Sequence, residues 1–258
     1  MASALNIKPT GCDQLIPGFI GLNMLKKSDE LCKTISLGGN YNCGSSDFMD
    51  ELDRQALCTL FCCCKDHDRQ NCVKNVLWQA DAFHKYTGHY KAEVPFKNKL
   101  PQMSRNEPER ATRGRPGGSR IPDVLVVKDG SKPPTLDNIQ KVYEMKFPGD
   151  SYDDGRIGPD GKTQQRAYRD LFKKKIDENP MTAESCACDD AEKQKEYSKV
   201  LERAYRWDVE RGQKLTMVPL VNGQAPAIAA AILSGGTSST PAAVLWLGRM
   251  LAGLKFAF

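Results

Sequence analysis

The sequence predicts a mixed α/β (α+β) domain, a small mixed sheet flanked by helices, with a cysteine-rich helical N-terminal region and an apolar helical C-terminal tail. Three observations lead there. Residues 124–127, Val-Leu-Val-Val, have the length and branching of a strand buried on both faces. Residues 142–147 alternate, so that Val142, Glu144 and Lys146 share one face and Tyr143, Met145 and Phe147 the other. Apolar residues at helical spacing precede and follow these strands.

Residues 1–43 are rich in Gly, Pro, Asn and Cys and show no period, so they are expected to be irregular. From residue 47, Phe48, Leu52, Ala56, Leu60 and Cys64 recur at helical spacing, with Asp47 available as a cap. A second helix is expected over 71–87, with Val73, Val76, Leu77, Ala80, Phe83 and His84 inward and Gly88 as its stop. Residues 90–96 read as a half-buried strand with Ala92, Val94 and Phe96 on one side and Pro95 marking its end. The aperiodic, Pro- and Gly-containing segment 97–118 reads as a mobile loop, and 128–138 as a turn-rich connector. Thr163 can cap a helix that places Gln164 and Tyr168 on one face, Leu171 and Phe172 inward, and Arg166, Arg169, Lys173 and Lys174 outward. A long amphipathic helix is expected over 189–211, and 215–221 could complete the sheet. Pro219, Pro226, Gly235-Gly236 and Pro241 cut the apolar tail into pieces shorter than the roughly 20 residues that span a bilayer core. Two short helices buried against the core are expected instead. This divides the chain into a cysteine-rich region (1–70), a core (71–221) and a tail (222–258).

The net charge of +5 over 258 residues is mild, but its location is not. Between residues 97 and 120 seven basic residues, Arg113, Arg115 and Arg120 among them, face two glutamates, an excess equal to that of the whole chain. A basic loop of this kind suits a polyanionic ligand. The N-terminus lacks a basic start followed by an apolar core, so no secretory signal is expected and synthesis is assigned to the cytoplasm. For a chain of this size without such a signal, the ten cysteines are expected to be mostly reduced thiols, Cys186 and Cys188 included. Cys62, Cys64, His67 and Cys72 could form a structural metal site, although their spacing matches no usual zinc pattern.

The chemistry concentrates at Asp123, Glu144 and Lys146. If the two strands form a hairpin, Asp123 falls near Glu144. Two converging carboxylates make an oxygen-only site suited to Mg²⁺ or Mn²⁺, and a neighbouring lysine can assist an attacking water and offset charge on a phosphate. Glu93, on the outward face of its strand, is a further candidate ligand. An ordinary strand ion pair is the alternative. Elsewhere, Cys63-Cys64-Lys65-Asp66-His67-Asp68 is similar to the helix of secreted phospholipases A2, in which the His activates water beside a calcium-binding Asp. The glycine-rich calcium loop of that family is only hinted at by Tyr41-Asn42-Cys43-Gly44, and Cys72 is misplaced for it.

Arg120-x-Pro122-Asp123, Glu144-x-Lys146 and Gln164-x-x-x-Tyr168 together resemble the PD-(D/E)xK nuclease superfamily, and residues 143–150 look like its VRR-NUC branch. The likeness covers roughly residues 75–175. It implies a restriction-endonuclease-like core that hydrolyses DNA with Mg²⁺ or Mn²⁺, in which Asp123 and Glu144 hold the metal and Lys146 assists the water. Gln164 or Gln165, with Tyr168 and Arg120, would support the site. Asp81 or Glu93 would add an acidic group, and Arg113, Arg115, Arg166 and Arg169 would meet DNA. The nearest likeness is to antibacterial toxins delivered by type VI secretion and neutralised by an immunity protein, which implies export and action in the cytoplasm of a target cell. A protein of the same fold that binds nucleic acid without cutting it is the alternative.

Overall fold

The computed structural model describes residues 12–37, 42–105, 111–112, 116–150, 157–158 and 161–211. The expectations for 215–221, for the tail and for Arg113 and Arg115 lie outside these residues. The fold is α+β, a small antiparallel sheet flanked by helices. No described helix is long and apolar enough to cross a membrane.

Residues 1–43 are not wholly irregular as expected. Helix α1 (Ile16–Leu25) and the short α2 (Leu31–Thr34) form within them. Helix α1 is buried on all sides, from Pro17 to Leu25 with only Met24 less covered, and a helix that is apolar all round leaves no 3.6-residue period to read. It lies against α6 (Ala191–Glu210) at very close range. A Cβ on Gly18 would sit 2.7 Å from Leu201 Cβ, and one on Gly21 2.4 Å from the carbonyl oxygen of Ala204.

Helix α3 (Ser46–Cys64) is capped by Ser45, whose hydroxyl accepts from Phe48 N at 3.2 Å, rather than by Asp47. Asp47 lies instead in the first turn, where its charge meets the positive helix end. Helix α4 (Arg69–Phe83) starts and stops earlier than expected, and Phe83 points outward at 46% exposure. Helix α6 matches its expected span within two residues and is capped by Asp190.

The sheet has the order β1 (Tyr90–Ala92), β4 (Val124–Val127), β5 (Ile139–Tyr143), all antiparallel. Between β1 and β4, β2 (Phe96–Lys97) and β3 (Leu100–Pro101) form a separate hairpin. Its two-residue turn, Asn98-Lys99, has positive φ at both positions, the geometry that twists with the strands. The first part of the supposed loop is therefore ordered, and Phe96 and Arg120 pair through both backbones. In β4 and β5, Val124 lies opposite Tyr143 and Leu125 opposite Val142, with an irregularity after Val126. A parallel component enters only through single bridges, Val142 with Ile176 and Met145 with Met181.

The alternation expected for 142–147 divides the molecule. On one face Leu125 and Val142 meet Tyr168 and Phe172 of α5 (Gln164–Phe172), capped by Thr163 as anticipated. On the other, Tyr143 Oη donates to the Asp50 carbonyl of α3, and Phe147 stacks on Phe61 with ring centres 4.6 Å apart.

The expectation of reduced thiols is wrong. All ten cysteines form disulfides: Cys12–Cys63, Cys32–Cys43, Cys58–Cys186, Cys62–Cys188 and Cys64–Cys72, with Cα separations of 5.1–5.8 Å. The bunching has a helical cause. Cys58 and Cys62 are one turn apart on α3 and so face the same way, toward Cys186 and Cys188 in the segment before α6. The supposed metal set dissolves with them, since Cys62 is bonded to Cys188, Cys64 and Cys72 are bonded to each other, and His67 is exposed. Sulfurs of Cys12, Cys64 and Cys72 do lie within 4.8 Å of one another, as two adjacent disulfides without a thiolate to offer.

Candidate active site

The antiparallel pairing of β4 and β5 carries the two acids to one point. Val124 faces Tyr143, so the next opposed pair is Asp123 and Glu144, and Asp123 N lies 3.4 Å from Glu144 Oε1. Glu144 has no exposed surface. Its Oε2 accepts from Gln164 Nε2 at 3.1 Å and lies 3.7 Å from Lys146 Nζ. Lys146 in turn donates to Gln164 Oε1 at 3.4 Å. Gln164 also reaches Tyr168 Oη, and that hydroxyl donates to the Ile121 carbonyl at 2.7 Å, two residues before Asp123. Five residues singled out from the sequence thus form one connected cluster.

The choices left open narrow on geometry. Gln164, not Gln165, carries the bonds to Glu144 and Lys146. Glu93 sits beside the site, its N–H bonded to the Asp123 carbonyl at 3.0 Å, its carboxylate 3.1 Å from Lys74, and its backbone at φ 48°, an uncommon conformation for a non-glycine residue. Asp81 is occupied farther along α4, where it accepts two bonds from Lys91 and one from Gly88 N. Arg120 braces the segment before α5. Its guanidinium donates to the Lys162 carbonyl at 3.1 Å and lies so close to Gly158 that a Cβ there would meet Nη2 at 2.2 Å. Arg166 and Arg169 are exposed on α5. His67 and Asp68 lie exposed in the turn between α3 and α4.

Four contributors escaped the sequence reading. Gln70 and Lys74, one turn apart on α4, reach Asp123 and Glu93 respectively, while Trp78 on the same stripe donates to the Ala92 carbonyl at 3.1 Å. The signal was present as Gln70-x-x-x-Lys74-x-x-x-Trp78, alongside an apolar face. Met181 contributes through its backbone, accepting from Lys146 N and donating to the Glu144 carbonyl, both at 2.8 Å. No side-chain pattern announces such a clasp.

Burial is the main influence on the acids. It pushes the Asp123 carboxyl up against the opposing pull of the Met145 N–H, Lys146 and Gln70. Glu144 is pushed well above the usual carboxylate range, first by burial and then by the charge of Asp123. One ammonium, Lys146, stands against both. Glu144→Gln is therefore expected to raise the melting temperature in EDTA at pH 8, because Asp123 then has Lys146 to itself. The sign follows from linkage: a carboxyl whose folded pKa lies above its unfolded value destabilises the fold above the folded pKa, and is relieved as pH falls toward about 4. The gain should shrink on acidification, and an equal or lower melting temperature at pH 8 would refute the repulsion.

No protein-family model, curated protein or solved structure matches this chain. The site therefore has to be read from its own chemistry. Hard oxygen donors under mutual repulsion suit a small divalent cation, which also tolerates a site of few protein ligands. The carboxylates do not make a closed cage: among the described residues, the cysteine group is the only set of three ligating side chains within 4.8 Å.

Proposed function

We propose that this chain is a divalent-cation-dependent nuclease of the PD-(D/E)xK type that hydrolyses phosphodiester bonds in DNA. The observation that carries the proposal is the fully buried Glu144, opposed to Asp123 and bonded to Gln164 beside Lys146. Burying two carboxylates side by side is unfavourable for folding, and a metal site gives a reason for it. Asp123 and Glu144 would hold Mg²⁺ or Mn²⁺, with Glu93 a further acid beside them. Such an ion, when bound, polarises a phosphoryl oxygen and acidifies water. Lys146, fixed by Gln164, stabilises negative charge gathering on the phosphate and can exchange a proton with the attacking water. Tyr168 ties the segment before Asp123 to α5, so that Gln164 and both acids keep one geometry.

Digestion of supercoiled plasmid with Mn²⁺ or Mg²⁺, and its loss in EDTA, tests the chemistry. A folded protein that leaves plasmid intact with either ion would overturn it and favour binding without cleavage. The exposed hairpin residues Lys97 and Lys99 extend the basic segment beyond Arg120. Replacing both with alanine in an Asp123→Asn background is expected to flatten the salt dependence of duplex binding by about 2 in log–log slope. An unchanged slope would remove the hairpin from the DNA surface.

The wider setting belongs to the same proposal: an antibacterial toxin exported by type VI secretion and restrained by an immunity protein. The five disulfides favour an oxidising compartment, where such bonds form and persist, over action in a reducing cytoplasm.

A further inference from the structure

We infer that Gln70 is a positioning residue of this site, whose side-chain amide holds the Asp123 carboxylate in the orientation that receives the cation. The inference rests on the metal-site reading above. Gln70 Nε2 donates to Asp123 Oδ1, and Met145 N donates to Oδ2 at 2.7 Å. Each carboxylate oxygen is thereby held from one side. Each has a second lone-pair direction, so the two bonds fix the carboxylate without consuming its capacity to bind a cation.

The way the chain brings Gln70 there points to a purpose. The residue before it, Arg69, opens α4 with φ 33°, a conformation unfavourable for an L-residue that persists only where surrounding structure holds it. The Cys64–Cys72 disulfide spans this turn, joining the last residue of α3 to the first turn of α4 across a separation of 8 residues. Gln70 itself is only half-buried, at the edge of the α4 face that packs inward through Val73, Val76, Leu77 and Ala80. A neutral amide also suits the position chemically. An acid there would add to the repulsion among Asp123, Glu144 and Glu93, and a base would compete with the cation.

The test compares Gln70→Met, which keeps length and helix propensity but not the amide, with Gln70→Glu, which adds an oxygen ligand. Melting temperature is followed against Mn²⁺ concentration, and kcat and KM for plasmid are measured alongside. Gln70→Met is expected to melt close to the wild type in EDTA, to need about tenfold more Mn²⁺ for half its stabilisation, and to lose kcat with little change in KM. Gln70→Glu is expected to melt lower in EDTA at pH 8 yet to respond to less Mn²⁺ than the wild type. A helix-packing role would lower stability in both variants and leave their Mn²⁺ requirement unchanged, and that result would overturn the inference. A wild-type protein that neither cleaves nor responds to Mn²⁺ would overturn the underlying metal-site reading instead, so the two failures are distinguishable.

Discussion

Lys146→Met is expected to lower Mn²⁺-dependent plasmid cleavage by about 10³-fold, within the range that one well-placed acid–base group supplies. Two positions of the ammonium matter here, 3.7 Å from Glu144 Oε2 and 3.4 Å from Gln164 Oε1, because together they fix it beside the carboxylates. The backbone clasp from Lys146 N to the Met181 carbonyl does not depend on the side chain, so the strand should keep its place. A second signature accompanies the loss. Without its ammonium the site leaves Asp123 and Glu144 opposed and uncompensated, so the variant should melt below the wild type in EDTA at pH 8 and recover part of the difference in Mn²⁺. Asp123→Asn should be equally inactive without that destabilisation. Cleavage at the wild-type rate by either folded variant would remove the assignment of these residues.

Reduction of the disulfides is expected to cost a large share of the folding free energy. Cys58–Cys186 closes a loop with a sequence separation of 128, for which the chain-entropy account gives about 5 kcal/mol, against a typical total stability of about 5–15 kcal/mol. Cys62–Cys188 adds less than its separation of 126 suggests. Once the first bond is made, the second closes only a small ring along one turn of α3 and the two residues after Cys186. Urea unfolding with and without a phosphine reductant measures the effect, and Cys58→Ser/Cys186→Ser should reproduce most of it. Coincident unfolding curves would show that the bonds contribute nothing. Reduction should also reach the site, because Met181, which clasps both Glu144 and Lys146, lies five residues before one anchor.

The parts of this architecture that obey a simple period were legible. The run 124–127, the alternation through 142–147 and the Thr163-capped helix each follow from local geometry, and together they brought Asp123, Glu144, Lys146, Gln164 and Tyr168 to one place. What escaped has no period or no side chain. Helix α1 is apolar on every face, and Met181 acts through its backbone. Glu93 and Asp81 could be separated only by their partners, Lys74 beside the site and Lys91 away from it. The cysteines depart from expectation because their even number and helical spacing, which signal pairing, count for more than chain size.

Cys58–Cys186 has one more consequence. Every residue assigned to the site, from Gln70 through Glu93, Asp123, Glu144, Lys146, Gln164 and Tyr168 to the Met181 clasp, belongs to the covalent ring that this bond closes. The exposed turn at Gly117-Gly118 lies in the same ring, between Glu93 and Asp123. A protease that nicks the chain there opens the ring but releases no fragment, and the acids from both sides of the cut remain parts of one molecule until the sulfurs are reduced.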